Sequence, residues 1–219
     1  MLISKKLNSI VRILLINSLQ KKPNLTFSEL ARKAEIAPSM AKILALKLVR
    51  SDYATIGRGI NGIKLNNPKK LIRAWSYCYS IRELEKAEFI AAERPQYVMV
   101  KISNAAAKAG LKYAFTLFSA TEYISPYTAP SDTYIYIRED DLKSWQKLLI
   151  PLNLQPAEGG GNVICLLVNE SYFEGTWNSR DMPVVSLPQL YADLFSYGGR
   201  GEEAAEEIMN LINKGLNNV

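Results

Sequence analysis

The chain has 219 residues, 48% hydrophobic and 22% charged, the composition of an ordinary globular protein long enough for two small domains or for one domain with a substantial core. It contains no histidine and only two cysteines, which excludes histidine-activated nucleophiles, histidine metal ligation and a cysteine zinc cluster. The formal net charge of +6 is unevenly placed, because residues 1–73 carry fifteen basic against three acidic residues and the remainder twelve against eighteen. This asymmetry predicts a polyanion-binding module joined to a module with a different task.

Nothing in the sequence predicts a membrane span or a secretory signal. No run approaches the roughly 18 apolar residues that a span needs. Lys5 and Lys6 precede an apolar stretch, but Arg12 interrupts it and no small-residue cleavage site follows. Cys165 lies in the apolar run 163–168 and is expected to be a buried, inert thiol. We therefore expect a soluble cytoplasmic protein without membrane association.

Three helices are predicted in the first 50 residues. Apolar residues recur at helical spacing over Leu7–Gln20, which predicts an amphipathic first helix. Thr26 and Glu29 form a capping box that opens a short second helix. After a turn of three residues, Pro38 opens a third helix that runs to about Arg50, since proline is tolerated in a first turn.

The third helix has an inward and an outward face on a 3.6-residue wheel. The inward residues are small or apolar: Ala41, Leu44, Ala45 and Leu48. The outward residues are Ser39, Lys42, Ile43, Leu46 and Arg50. Apolar side chains on the outward face leave open a shifted register or packing of this face on another element.

Two short strands, 53–57 and 62–65, are predicted after the third helix. A glycine-bearing tip that contains Arg58 joins them, which is a hairpin signal. The whole segment is interpreted as a helix-turn-helix followed by a β-wing. In that arrangement the third helix would meet the major groove of DNA, and Arg58 would reach a phosphate or a minor groove.

The rest of the sequence predicts a second domain of mixed α/β class. Asn67 and Pro68 start a helix expected to end at Ile81 or as late as Ala92 and to connect the domains. Strands are predicted at 97–102, 113–118, 133–137 and 163–168, the last central in its sheet. Helices are predicted from Ser103 to Gly110 and at 139–149, 188–197 and 201–214, with a short helix or turn at 119–124 and a loop at 155–161. The predicted domains are thus a winged helix-turn-helix at 1–66, a connecting helix at 67–92 and an α/β domain at 93–219.

Two patterns leave other functions open. Asp132 precedes a predicted strand, and Asp141 and Lys143 follow it. This pattern resembles the site of metal-dependent nucleases, in which two carboxylates hold a divalent metal and a lysine orients the attacking water. Acidic residues in the first turn of a helix produce the same pattern, and we favour that interpretation. The other alternative is a ligand-responsive winged-helix repressor. Its ligand would bind a tyrosine-rich platform of Tyr113, Tyr123, Tyr127, Tyr134 and Tyr136, although strands also favour tyrosine.

Segments spread over most of the chain together resemble one family. The N-terminal ones are generic to winged helices: Glu29-Leu30-Ala31 through Leu48-Val49-Arg50, Ile56-Gly57-Arg58-Gly59, and Asn67-Pro68 with Leu71, Ile72 and Trp75. The more specific ones are Tyr113 with Thr116, Ser119 and Ala120, Val184-Val185-Ser186 to Tyr191-Ala192-Asp193-Leu194, and Gly199-Arg200-Gly201-Glu202-Glu203-Ala204-Ala205. They resemble the AbiEi antitoxins of type IV toxin–antitoxin systems. One departure is Ser51-Asp52, where such folds often turn through a glycine.

The resemblance implies a bacterial, non-enzymatic autorepressor that binds inverted repeats in the promoter of its own operon. Double-stranded DNA would be its partner, a homodimer on DNA would fit the repeats, and no cofactor or metal is expected. The cognate toxin of such systems resembles a nucleotidyltransferase, and the antitoxin counters it without a stable complex. By motif position the resemblance carries over the DNA-contact candidates Ser39, Lys42, Lys47, Arg50, Arg58 and Lys64.

Overall fold

The computed structural model describes residues 4–22, 24–57 and 62–215, so Arg58 and the rest of the predicted hairpin tip lie outside the described residues. The helices are α1 (Lys5–Leu19), α2 (Phe27–Lys33), α3 (Pro38–Arg50), α4 (Pro68–Ser76), α5 (Pro95–Ala109), α6 (Leu117–Ile124), α7 (Leu142–Leu149), α8 (Leu187–Tyr197) and α9 (Arg200–Asn213). The strands are β1 (Leu25–Thr26), β2 (Ala54–Ile56), β3 (Gly62–Leu65), β4 (Lys86–Ile90), β5 (Tyr113–Phe115), β6 (Thr133–Arg138), β7 (Gln155–Ala157), β8 (Val163–Val168), β9 (Trp177–Ser179) and β10 (Met182–Val184).

The chain divides into two compact units. Residues 1–81 and 186–219 form the first, here called the helical unit, and residues 82–185 form the second, the sheet unit. This division differs from the predicted boundaries at 66 and 92, because α8 and α9 pack with the N-terminal helices. The charge asymmetry follows the observed units: the helical unit carries seventeen basic against eight acidic residues, and the sheet unit ten against thirteen.

The helical unit contains a three-stranded antiparallel sheet in the order β1-β3-β2. Its helices α1, α2 and α3 and the strands of its hairpin lie where the sequence predicts them. The strand β1 was not predicted, because two residues give no periodicity; it exists through its pairing of Leu25 with Ile63. The close approach of β1 also explains Gly62, since a Cβ at that position would lie 2.9 Å from the Leu25 carbonyl oxygen.

A buried polar network joins α1 to α8 inside the helical unit. Arg12, Gln189 and Asp193 are each fully buried. The Arg12 Nε donates to the Gln189 side-chain oxygen, and Gln189 Nε2 donates to Asp193 Oδ1 at 2.7 Å. The Tyr79 hydroxyl donates to the same Asp193 oxygen at 2.8 Å. Residues from both ends of the sequence therefore share one core.

On the outer side of this unit, α4 is tied to α9. The two terminal guanidinium nitrogens of Arg73 donate hydrogen bonds to the Glu206 carboxylate, at 2.9 and 2.8 Å. These hydrogen bonds lower the pKa of the Glu206 carboxyl below its ordinary value. Burial raises the pKa of the neighbouring Tyr191 hydroxyl to about 12, so this tyrosine stays neutral and donates to Glu206 at 3.1 Å.

The predicted connecting helix is wrong beyond Ser76. The helix α4 ends there because the following residues are held against α8, where the Ile81 amide donates to the Ser196 hydroxyl at 3.1 Å. Residues 86–90, which the prediction allowed in the same helix, form β4 and pair with β8.

The predicted strand at 97–102 is also wrong, because these residues lie inside α5, and Ser103 is an interior position and not a cap. Pro95 occupies the first turn of this helix, where its fixed φ is favourable. The buried positions Val98, Met99, Ile102 and Ala106 follow helical spacing, which outweighs the β-branched composition. Gly110 ends the helix as predicted, in a left-handed conformation with φ of 65°.

The sheet unit contains a seven-stranded mixed sheet in the order β7-β4-β8-β6-β5-β10-β9. The strand β8 lies between β4 and β6, so its predicted central position is confirmed, and its Cys165 is fully buried with a raised thiol pKa. The predicted loop at 155–161 is partly wrong, since β7 pairs there as an edge strand that tolerates Pro156. The part of the chain that the structure describes holds no helix long and apolar enough to cross a membrane.

Candidate nucleic-acid interface

The turn between α2 and α3 is fixed at both of its ends. At the start of α2 the Glu29 amide donates to the Thr26 hydroxyl at 3.2 Å, and the Glu29 carboxylate accepts from the Thr26 amide at 2.8 Å. The Thr26 hydroxyl also donates to the Glu29 carboxylate at 2.8 Å. The two hydrogen bonds that the carboxylate accepts from Thr26 lower the pKa of the Glu29 carboxyl. At the end of α2, Glu35 adopts a left-handed conformation with φ of 53°, and the Ile36 amide donates to the Ala31 carbonyl at 3.1 Å. The predicted capping box is confirmed.

Replacement of Thr26 by alanine should therefore lower the free energy of unfolding by about 1 kcal/mol, because it leaves helix-start amides without an acceptor. Chemical denaturation followed by tryptophan fluorescence measures this loss. Ser28→Ala, at an exposed position of the same helix, is the control and should stay within about 0.5 kcal/mol of wild type. An equal loss in both variants would contradict the role of the capping box.

The helix α3 presents its predicted outward face to solvent. Ala41, Leu44, Ala45 and Leu48 are buried on the inward side, as predicted. Ile43 has 53% of its surface exposed, so the register is confirmed and Ile43 does not pack inside its own unit. The exposed polar residues of this helix are Ser39, Lys42, Lys47 and Arg50. Since α3 contains no acidic residue, every ionisable group on this face is a cation.

The hairpin β2–β3 carries one more of the predicted DNA-contact residues. Lys64 is exposed on β3, opposite Thr55 of β2. The turn that leads from α3 into β2 is held by Asp52, which has a φ of 60° and accepts from the Asn66 amide nitrogen at 3.2 Å. Asp52 thus adopts the left-handed conformation at the turn where winged-helix folds often have a glycine. Arg58, the remaining candidate, lies outside the described residues.

The structure does not bring the nuclease candidates together. Asp132 directly precedes β6 and Asp141 follows its end, so the two carboxylates are separated by the length of a six-residue strand, about 20 Å. The Asp141 carboxylate instead lies 3.5 Å from the Arg138 guanidinium, and Lys143 is exposed on α7. Within the described residues, no three Cys, Asp or Glu side chains are grouped so that they could hold a metal ion.

The tyrosines of the sheet unit do not form one platform. Tyr113 pairs with Ile137 across the sheet, whereas Tyr136 precedes Ile137 in β6, so Tyr113 and Tyr136 point to opposite faces. Both are buried in aromatic clusters, Tyr113 against Trp145 and Tyr136 against Tyr172. They are core residues.

Sequence reasoning missed a group of lysines next to the hairpin. Lys21 and Lys22, just past the end of α1, line a cavity of about 170 Å³ together with Lys64 of β3. In the sequence, only the excess of basic residues in the N-terminal segment indicated that these lysines could matter. Whether they line one cavity depends on how α1 packs against β3, which the sequence does not show.

The fold and this surface define a mixed α/β protein in which a basic helical unit, with an exposed cationic helix and hairpin, is combined with an acidic sheet unit. A family model described as "Transcriptional regulator, AbiEi antitoxin, Type IV TA system" matches residues 64–213, well over half of the chain. The chain therefore belongs to the AbiEi antitoxin family, as the resemblance indicated. The match begins within β3, so α1, α2 and α3 precede it. No curated protein and no solved structure matches the chain.

Proposed function

We propose that this protein is a non-enzymatic DNA-binding autorepressor and the antitoxin of a type IV toxin–antitoxin operon. In this proposal the helical unit is a winged helix that reads an inverted-repeat operator in the cytoplasm, as a homodimer on the DNA. Membership in a family of transcriptional regulators supports the general role. The exposed face of α3 is the observation that carries the specific proposal.

The face of α3 fits the major groove of duplex DNA in size and chemistry. A single helix fills that groove, and residues near its N-terminus reach base edges. Ser39 lies in the first turn, one turn before Lys42 and Ile43. A lysine can donate to guanine, and an exposed apolar side chain such as Ile43 can contact a thymine methyl group. The exposed apolar residue is therefore consistent with base recognition.

The remaining candidates suit contacts to the phosphate backbone. Lys47 and Arg50 lie in the last turn of α3, and Lys64 lies on the neighbouring hairpin. We assign Arg58, in the hairpin tip that the sequence predicts, to a phosphate or minor-groove contact. Because each neutralised phosphate releases counterions, binding should weaken steeply as salt concentration rises.

The experiment that tests this proposal compares two double charge reversals. The duplex upstream of the reading frame, labelled with a fluorophore, is titrated with full-length protein and followed by fluorescence anisotropy. Lys42→Glu with Arg50→Glu should lower the affinity at least about a hundredfold, since two contacts are replaced by repulsion. The melting temperature of this variant should stay close to that of wild type, because both side chains are exposed.

Lys143→Glu with Lys147→Glu provides the matched control. Both lysines are exposed on α7 of the sheet unit, and the change in net charge is the same. This control should bind DNA nearly as wild type does. If both double variants lost affinity equally, binding would depend on total charge and not on α3. If neither lost affinity, the proposed interface would be wrong.

We assign toxin neutralisation to the acidic sheet unit, without a stable complex with the toxin. Its charge, ten basic against thirteen acidic residues, makes it a poor ligand for nucleic acid and leaves a different task to it. Rescue of growth upon co-expression with the adjacent toxin gene should survive the Lys42→Glu and Arg50→Glu reversals. Loss of rescue together with DNA binding would contradict this separation of tasks.

A further inference from the structure

The cavity between the end of α1 and the β3 strand has the features of an anion site. Three lysines from two separate segments line it: Lys21, Lys22 and Lys64. Leu14 and Ile63 supply apolar lining, and Asn24 supplies a polar side chain. Among the described residues that line the cavity, none is acidic, so its lysines face no carboxylate across it.

The size of the cavity suits a single phosphate group. One water molecule needs about 10–15 Å³ of such a cavity, so a cavity of about 170 Å³ accommodates a phosphate together with its nearest waters. It is open and small, with little apolar surface to enclose an aromatic ring. Lysine ammonium groups bind phosphate as mobile point charges and need no fixed geometry.

The backbone at the end of α1 sets the position of two of these lysines. The Lys22 amide donates to the Asn17 carbonyl, and the Lys21 amide donates to the Ser18 carbonyl, both at 3.1 Å. Lys21 has a φ of 52°, a left-handed conformation that glycine adopts more easily. Glu35 and Asp52 have the same conformation after α2 and α3, so the strain alone does not identify a site. The left-handed conformation does have a practical use, because replacement of Lys21 by glycine removes the positive charge without loss of stability.

We infer that this cavity binds a backbone phosphate of duplex DNA, beside the hairpin that carries Lys64. The inference rests on the proposed DNA-binding function and adds Lys21 and Lys22 to the contact residues. Backbone contacts position a protein on DNA and carry no sequence information. Removal of one of these lysines should therefore weaken binding to every duplex by a similar factor.

Lys21→Gly is the most informative variant. It removes the charge and relieves the left-handed strain, so the melting temperature should stay the same or rise by about 1–3 °C. Affinity for the upstream duplex and for a mixed-sequence duplex of about 20 base pairs should fall by a similar factor, about threefold to tenfold. The slope of log affinity against log salt should become shallower by about one.

Arg180→Gly is the control for Lys21→Gly. Arg180 is exposed in the sheet unit and has a φ of 49°, so this variant also removes one positive charge and relieves a left-handed residue. It should leave both duplex affinities and the salt slope unchanged. If Lys21→Gly behaved like Arg180→Gly toward DNA, while Lys42→Glu with Arg50→Glu still abolished binding, the cavity assignment would fail and the proposed function would stand.

A titration with inorganic pyrophosphate distinguishes between two possible ligands of this cavity, a backbone phosphate of DNA and a free phosphate compound. Amide resonances of Lys21 and Lys22 are followed by nuclear magnetic resonance during the titration of pyrophosphate into the full-length protein. Shifts with an unchanged DNA affinity of Lys21→Gly would identify a small phosphate ligand and overturn the DNA assignment. Absent shifts and unchanged DNA affinity would overturn the site altogether. If wild type bound no duplex, the proposed function would fail, and with it the DNA assignment; the pyrophosphate shifts would then decide whether the cavity is a phosphate site.

Discussion

Replacement of Asp193 by alanine is expected to lower the free energy of unfolding of the helical unit by about 3–5 kcal/mol. Asp193 is fully buried and accepts hydrogen bonds from Tyr79 and Gln189, which in turn accepts from Arg12. The variant leaves the buried Tyr79 and Gln189 donors without their acceptor, and it removes the carboxylate from the hydrogen-bonded network that contains the buried Arg12 cation. Loss of a buried acceptor and of a buried counter-charge together costs several kcal/mol. Total stabilities are only about 5–15 kcal/mol, so this loss is a large fraction.

The loss can be measured by urea denaturation with tryptophan fluorescence. Trp75 belongs to the helical unit, whereas Trp145 and Trp177 belong to the sheet unit, so a protein in which Trp145 and Trp177 are changed to phenylalanine reports the helical unit alone. Asp140→Ala, at an exposed position of the sheet unit, is the control and should stay within about 0.5 kcal/mol of its parent. Since α3 belongs to the same unit as Asp193, DNA binding should disappear along the same denaturation curve.

A joint apolar replacement distinguishes charge burial from packing. Arg12→Met, Gln189→Leu and Asp193→Leu together remove the whole network and leave no buried charge. Such replacements are often neutral or stabilising, so the triple variant should be more stable than Asp193→Ala. If Asp193→Ala cost less than about 1 kcal/mol, or if the triple variant were the less stable of the two, the network would not hold α8 against α1 by charge compensation.

The sequence predicted the first three helices and the hairpin because their signals are local. Thr26 with Glu29, and Pro38 in a first turn, mark helix starts through hydrogen bonds made within a few residues. Ile43 on the outward face of α3 could be anticipated from the helical wheel alone. The same reasoning supplied the DNA-contact candidates of α3 and Lys64, and the structure places these residues on exposed positions.

The sheet unit was harder to predict because its signals are ambiguous or non-local. Residues 97–102 combine β-branched composition with helical spacing, and the decisive feature was Pro95 in the first turn of α5. The strands β7, β9 and β10 have three residues each, and their existence depends on partners elsewhere in the chain. No local pattern encodes such pairing.

The elements against which α8 and α9 pack could not be predicted from the sequences of these two helices. The helix α8 is buried over residues 187–194, so it has no single apolar stripe that would indicate a partner. Arg12 did give one indication of this packing, because it is a cation within an apolar helix. In the sequence, Arg12 was interpreted only as an interruption of a possible signal peptide. A buried cation requires a buried carboxylate nearby, and Asp193 within the apolar helix α8 was the candidate. The lysine-lined cavity gave no comparable signal, since α1 and β3 are far apart in sequence.

Replacement of Gly201 by alanine tests how closely α9 packs on α8. A Cβ at position 201 would overlap the Leu194 backbone carbonyl oxygen and would lie 3.2 Å from the Tyr197 Cβ. Backbone atoms cannot move aside as a flexible side chain can, so α9 must shift with its buried residues. Alanine favours helix over glycine by at most about 1 kcal/mol, which is too little to compensate for this overlap. We therefore expect a net loss of about 3 kcal/mol, at the upper end of overpacking effects.

A scanning calorimetry experiment would show this loss as a fall of about 10–15 °C in the melting temperature of the helical unit. Gly110→Ala is the matched control, because Gly110 has a φ of 65° and open space around its Cβ position. In that variant alanine causes only backbone strain, so the free energy of unfolding should fall by about 1 kcal/mol. If Gly201→Ala lost no more than Gly110→Ala, α8 and α9 would be able to separate at little cost. The C-terminal helices would then be an adjustable attachment to the core that carries α3 and not a part of it.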